Sequence, residues 1–108
     1  MFYHLHFDET NCPYEVRFTH DILVRSDAEL DYSVLCGEIS KYKEQMDDWT
    51  FGLTDEQIEA GEINPLAEKY DDFGWDEKID EALKLVIEKH PELAIEVVET
   101  KSFYFEIN

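Results

Sequence analysis

Positive charge is what this chain has least of. Nine Lys and Arg stand against 27 Asp and Glu, a formal net charge of −18. Such a balance leaves no basic patch for a phosphate backbone and repels nucleic acid and anionic membrane alike. Cysteine is nearly absent: Cys12 and Cys36 lie far apart and do not make a disulfide framework, which predicts reduced thiols and a cytoplasmic setting. Four Gly and three Pro are too few for a linker or a low-complexity tract, so residues 1–108 are expected to form a single domain. Long apolar runs are missing too. The opening Met-Phe-Tyr-His-Leu-His-Phe is short and His-interrupted, predicting a strand and neither a secretion signal nor a membrane span. No serine sits in a nucleophile elbow, no Gly-rich loop cradles phosphate, and neither cysteine lies in a catalytic signature, so no enzyme is expected.

Apolar residues, at 44% with 14% aromatic, are too many for a disordered chain. A chain of 108 residues buries roughly 60 to 65% of its unfolded surface. The acidity is regional. Residues 44–81 carry fourteen carboxylates against Lys69 and Lys78, a net −12, whereas residues 1–43 carry −4 and residues 82–108 carry −2. Solubility needs only about two to eight net charges, so the excess points to a use beyond it.

Tyr3, Leu5 and Phe7 alternate with His4, His6 and Asp8, and Val16, Phe18, Ile22 and Val24 continue the alternation, which predicts a β-hairpin. Matching apolar faces sets Leu5 opposite Phe18, Phe7 opposite Val16 and Arg17 opposite His6, with Thr10 to Pro13 as the loop. Residues 20–25 either extend the second strand or turn at His20-Asp21 into a third. Ser26 with Glu29 has the form of a capping box and predicts a helix start. Leu35, Ile39, Tyr42, Met46 and Trp49 then form one apolar stripe, interrupted by Gly37, which suggests close approach to the sheet. Thr54 with Gln57 caps a short helix ending near Gly61, and Asn64-Pro65 starts another. Ile79, Ala82, Leu83, Val86 and Ile87 mark a strong amphipathic helix over residues 76–89, stopped by His90-Pro91. Leu93, Ile95 and Val97 share a parity with Phe103, Phe105 and Ile107, predicting a final strand pair or one long bent strand. The fold expected is α+β: an antiparallel sheet of four to five strands, from the N-terminal hairpin and the C-terminal strands, with three to four helices packed on one face.

The acidic stretch comes with aromatic companions, a mixture typical of interface hot spots. The expected partner-binding residues are Asp47, Asp48, Trp49, Phe51, Asp55, Glu56, Glu59, Glu62, Asp71, Asp72, Phe73, Trp75, Asp76 and Glu77. Carboxylates three or four apart on a helix are about 5 to 6 Å apart, the order of the charge spacing along a nucleic-acid strand. The chain is therefore expected to be a small inhibitor that mimics nucleic acid and blocks a basic, nucleic-acid-handling protein. Phage anti-CRISPR and anti-restriction proteins share this size and charge, though no motif ties the chain to any family. Immunity proteins of nuclease toxins share them too, and form the alternative. A calcium- or metal-binding domain and a self-association module are further readings. Asp71, Asp72, Asp76 and Asp80 do not satisfy the EF-hand spacing, and Asp72-Phe73-Gly74 is a chance match to the kinase magnesium triplet. An enzyme would have to place His4, His6 and Asp8 around a metal. With Cys12 having to fold back and His20 on the other face, the strand falls short of four ligands, so neither metal nor cofactor is expected.

Overall fold

The alternating patterns of the first 25 residues become two ten-residue strands in the computed structural model, which describes residues 1–11 and 16–106, with only the backbone described for Thr10 and Asn11. Strand β1 (Phe2–Asn11) pairs antiparallel with β2 (Val16–Arg25), and β2 pairs antiparallel with β3 (Glu96–Glu106), giving the order β1-β2-β3. Between β2 and β3 come helices α1 (Tyr32–Asp47), α2 (Asp55–Glu59), α3 (Pro65–Lys69) and α4 (Trp75–Lys89), then a single 3-10 turn, Pro91–Leu93. The class is α+β as expected. Among the described residues the sheet has three strands where four to five were expected. His20-Asp21 does not turn, so β2 continues to Arg25, and Thr100-Lys101 lacks the Gly or Asn of a tight hairpin, so β3 continues through them as one long strand.

The chain divides into two compact units. The first comprises Met1–Cys36 with Ile87–Asn108, the second Gly37–Val86. In the first unit the register differs from expectation. Leu5 pairs with Ile22 and Phe7 with His20, four positions along β2 from the predicted partners. An even shift keeps the same side chains on each face, and Leu5, Ile22 and Val24 are fully buried on theirs. What changes is who stands opposite whom: Asp21, not Arg17, faces His6. Thr10 and Asn11 belong to β1, and the rest of the predicted loop, Cys12 and Pro13, lies outside the described residues, as does Ile107.

Strand β3 contains an irregularity. Leu23 pairs with Glu99 but Val24 with Val97, leaving Val98 as an extra residue in a bulge. The bulge reverses the parity of the strand beyond it. Lys101 stands opposite Asp21 and Phe105 opposite Arg17, so Phe103 and Phe105 share the face of His4 and His6, while Thr100, Ser102 and Tyr104 share the face of Leu5. The expectation that Val97 and Phe103 point the same way is thereby corrected. Every residue of β3 is exposed.

Ser26 does not open a helix. Its buried hydroxyl donates to the Leu93 carbonyl and accepts from the Ala28 N–H at 3.1 Å, tying two loops of the first unit. Helix α1 begins at Tyr32, where the Asp31 carboxylate accepts from the Val34 N–H at 3.2 Å. Gly37 makes no close approach: a Cβ there would meet nothing within 4 Å. The stripe of α1 holds for Leu35, Ile39 and Met46, whereas Trp49 lies beyond the helix and is exposed.

In the second unit both predicted caps form. Thr54 and Gln57 exchange side-chain-to-backbone bonds at the start of α2, and Asn64 Oδ1 accepts from the Leu66 N–H at 3.1 Å before Pro65 of α3. Asn64 does more than cap. Its Nδ2 donates to the carbonyls of Gln45 (2.8 Å) and Asp48 (3.0 Å), and its N–H donates to the Trp49 carbonyl (2.8 Å). One side chain thus satisfies carbonyls at the end of α1 and an N–H at the start of α3. Helix α4 buries Ile79, Ala82, Leu83 and Val86, as its periodicity predicts.

Candidate functional site

All fourteen residues expected to meet a partner fall in the second unit. Asp47 closes α1, and Asp48, Trp49 and Phe51 come next in the turn, where Asp48 Oδ1 accepts from both the N–H and the hydroxyl of Thr50 at 3.0 Å. Asp55, Glu56 and Glu59 lie on α2, with Asp55 and Glu56 in its first turn, where free N–H groups favour carboxylates. Glu62 lies between α2 and α3, Asp71, Asp72 and Phe73 come after α3, and Trp75, Asp76 and Glu77 start α4.

Burial separates the aromatics. Trp49 and Phe51 are 40% and 47% exposed, so neither plugs a core. Phe73 is half-buried with its ring edge-on to buried Tyr70, centroids 5.1 Å apart, and Trp75 is half-buried as well. Sequence reasoning missed two apolar members of this surface, Ile58 and Ile63, each 41% exposed. A five-residue helix gives Ile58 no stripe to belong to, and an exposed isoleucine carries no signature of its own.

The unit holds fifteen carboxylates against five lysines, a net −10. Its cations are concentrated on few partners. Lys43 and Lys78 both bond Asp47, at 2.5 and 2.7 Å, and Lys84 bonds Glu81 at 2.9 Å. Asp47 therefore belongs to an internal network. Partial burial raises its proton affinity, yet the two ammonium groups together hold it below the usual carboxylate range. Among the described residues, exposed Asp55, Glu56, Glu59, Glu62, Asp71 and Asp72 pair with no cation. Exposed Glu44, Glu68 and Glu77 are in the same position, so the uncompensated charge spreads from the end of α1 to the start of α4 and includes the α2 segment and the loop after α3.

A second cluster lies on the sheet of the first unit. His4 and His6 project from one face of β1, and Asp21 projects beside them from β2. Asp21 Oδ1 accepts from His4 Nε2 at 2.7 Å and from His6 Nδ1 at 2.6 Å. The other ring nitrogen of His6 lies 3.7 Å from Asp8 Oδ2, and Asp8 in turn accepts from Arg17 Nε at 3.0 Å and from its Nη2. The Asp21 bond is the main reason the His6 pKa is raised, and the His6 bond the main reason that of Asp21 is lowered. His20 lies apart from this cluster. It is buried on the opposite face, its Nδ1 2.8 Å from the Ser102 hydroxyl. Sequence reasoning named His4, His6 and Asp8 but not Asp21, because only the true register sets Asp21 opposite His6. Cys36, half-buried, has its thiol pushed up by burial, which disfavours the thiolate a nucleophile needs.

No helix among the described residues is long and apolar enough to cross a membrane. Comparison of the chain with protein-family profiles, with curated proteins and with solved structures finds no significant match.

Proposed function

We propose that the chain is a small acidic inhibitor that acts without chemistry, occupying the nucleic-acid-binding surface of a basic protein in the cytoplasm. The observation that carries this reading is the charge of the second unit: fifteen carboxylates against five lysines, three of which are already committed to Asp47 and Glu81. A field of that sign raises the association rate of cationic surfaces and excludes polyanions. Exposed Trp49 and Phe51 supply the apolar anchors that charge alone lacks, since steering sets rate and selectivity while buried aromatics dominate affinity. The partner is a nuclease or another nucleic-acid-binding protein of the type that phage inhibitors block. An immunity role toward a nuclease toxin uses the same surface and differs only in who encodes the target.

The test begins with a pull-down from the native or host cell at low salt, using the full chain. It is repeated with Asp55→Lys, Glu56→Lys, Asp71→Lys and Asp72→Lys combined. The expected result is a basic nucleic-acid-binding protein that is released by about 0.5 M salt, competed off by DNA or RNA, and not retained by the reversed chain. Retention unchanged by the four reversals refutes the mimicry.

A further inference from the structure

We propose that His4, His6 and Asp21 form a site for one divalent transition-metal ion of the zinc type, independent of the acidic surface. One nitrogen from each ring and one Asp21 oxygen lie within 4.8 Å of one another. Two of the three separations are already 2.6 and 2.7 Å. Around a tetrahedral ion with bonds of about 2.0 to 2.1 Å, ligand atoms stand roughly 3.3 Å apart, so the side chains need only open slightly. The rings are exposed on their strand and have room to do so.

The donor set decides the class of ion. Two imidazoles and one carboxylate suit zinc, cobalt, nickel or copper, whereas calcium and magnesium call for oxygen ligands throughout. Position is set by the backbone: His4 and His6 are two apart on β1, and Asp21 is the cross-strand partner of His6. Ligands carried on paired strands are held more firmly than ligands on loops.

A carboxylate stands behind one of the two imidazoles, at ion-pair distance and not yet at hydrogen-bond distance. With an ion on His6 Nδ1, the ring proton moves to Nε2, the nitrogen that lies 3.7 Å from Asp8. Asp8 is fixed by Arg17, so the order ion, imidazole, carboxylate, guanidinium runs across the sheet face. Carboxylates behind a ligating imidazole orient the ring and raise its basicity. Beside the cluster a shallow depression of about 260 Å³, lined by His4, Asp21, Leu23, Glu99, Thr100 and Lys101, leaves space for water as the fourth ligand. Lys101, the cation in that lining, has its ammonium 5.3 Å from the centroid of the Phe103 ring. Neutral imidazoles exchange tautomers on binding and release no proton, while a protonated His6 releases one. Because the ligating nitrogens must be free of protons, uptake strengthens as pH rises.

Zinc titration of the untagged, chelator-stripped full chain by calorimetry tests the site, in parallel with a Cys12→Ser/Cys36→Ser chain that removes thiol ligands. The expected result is one equivalent bound by both chains, unaffected by a hundredfold excess of calcium or magnesium. His4→Ala and His6→Ala each weaken binding at least a hundredfold, and Asp8→Asn weakens it about tenfold. In the unmodified chain, zinc shifts the NMR ring signals of His4 and His6 and leaves those of His20 and His90 in place, a readout that needs no variant to fold. Absence of binding at 100 µM zinc overturns the proposal. So does binding that survives both His→Ala substitutions, or that moves no ring signal.

Discussion

Replacing Asn64 with Ala removes the densest set of hydrogen bonds in the second unit. The side chain accepts once, from the Leu66 N–H, and donates twice, to the carbonyls of Gln45 and Asp48. Loss of an N-cap costs about 1 kcal/mol. Each of the two carbonyls then loses its donor, and a net contribution of about 0.5 to 1.5 kcal/mol per bond is typical. The sum is about 2 to 4 kcal/mol. At the scale of a 100-residue chain this lowers Tm by on the order of 10 to 20 °C. Asn64→Asp separates the two functions, because the new carboxylate keeps the capping acceptor but turns a negative charge toward two carbonyl oxygens. At pH 7 it should cost at least as much as Ala, and part of the loss should return on acidification, when the protonated carboxyl again donates. Urea unfolding at pH 7 and pH 4.5, read by far-UV circular dichroism, measures both variants against the parent at each pH. A loss below about 1 kcal/mol for Asn64→Ala, or an Asp variant indistinguishable from the parent at pH 7, refutes the assignment.

Glycine positions give a second check: Gly37→Ala, in an open stretch of helix interior, should stabilise by about 0.5 to 1 kcal/mol, whereas Gly61→Ala, at φ 84°, should destabilise, both read from urea midpoints. The imidazole cluster gives a third, measured in the presence of chelator. The folded His6 pKa lies above its free value, chiefly through the Asp21 bond, so the pairing stabilises below about pH 6.5 and fades as pH rises through the raised value. Asp21 is depressed, first by the same bond, so its share is lost as pH falls through its own lowered value. NMR titration should find the His6 midpoint above about 6.5 and returned toward it in Asp21→Asn. An unchanged midpoint in that variant would show that the bond does not persist in solution.

What could be read from the sequence was what is local. The Thr54/Gln57 box and the Asn64-Pro65 start depend on residues within three positions, and both form. The apolar period of α4 is carried by one helix and holds for Ile79, Ala82, Leu83 and Val86, with Ile87 half-buried at its end. Ser26 and Glu29 satisfy the same local rule and fail it, because Leu93, 67 residues away, claims the Ser26 hydroxyl. The register of the hairpin was underdetermined for a related reason. Two registers four positions apart bury the same face, and only the longer ladder sets Asp21 between two imidazoles. Charge density in residues 44–81 was plain as composition. That Asp47 is held by Lys43 and Lys78 was not, since the second lysine is 31 residues away.

Strand β3 makes the chain's acidity a matter of self-protection as well as recognition. It is an outer strand eleven residues long, with Val97, Val98, Phe103, Tyr104 and Phe105 all exposed. Such an edge is a template on which other copies can add strands. Here the bulge at Val98 breaks its straightness, and Glu99 and Glu106 charge it within an anion of −18, so approaching copies are repelled before backbones meet. The two guards are not equal. The bulge does not depend on pH, but the repulsion vanishes near the isoelectric point of about 4.3, so association through this exposed edge is expected there and not at neutral pH.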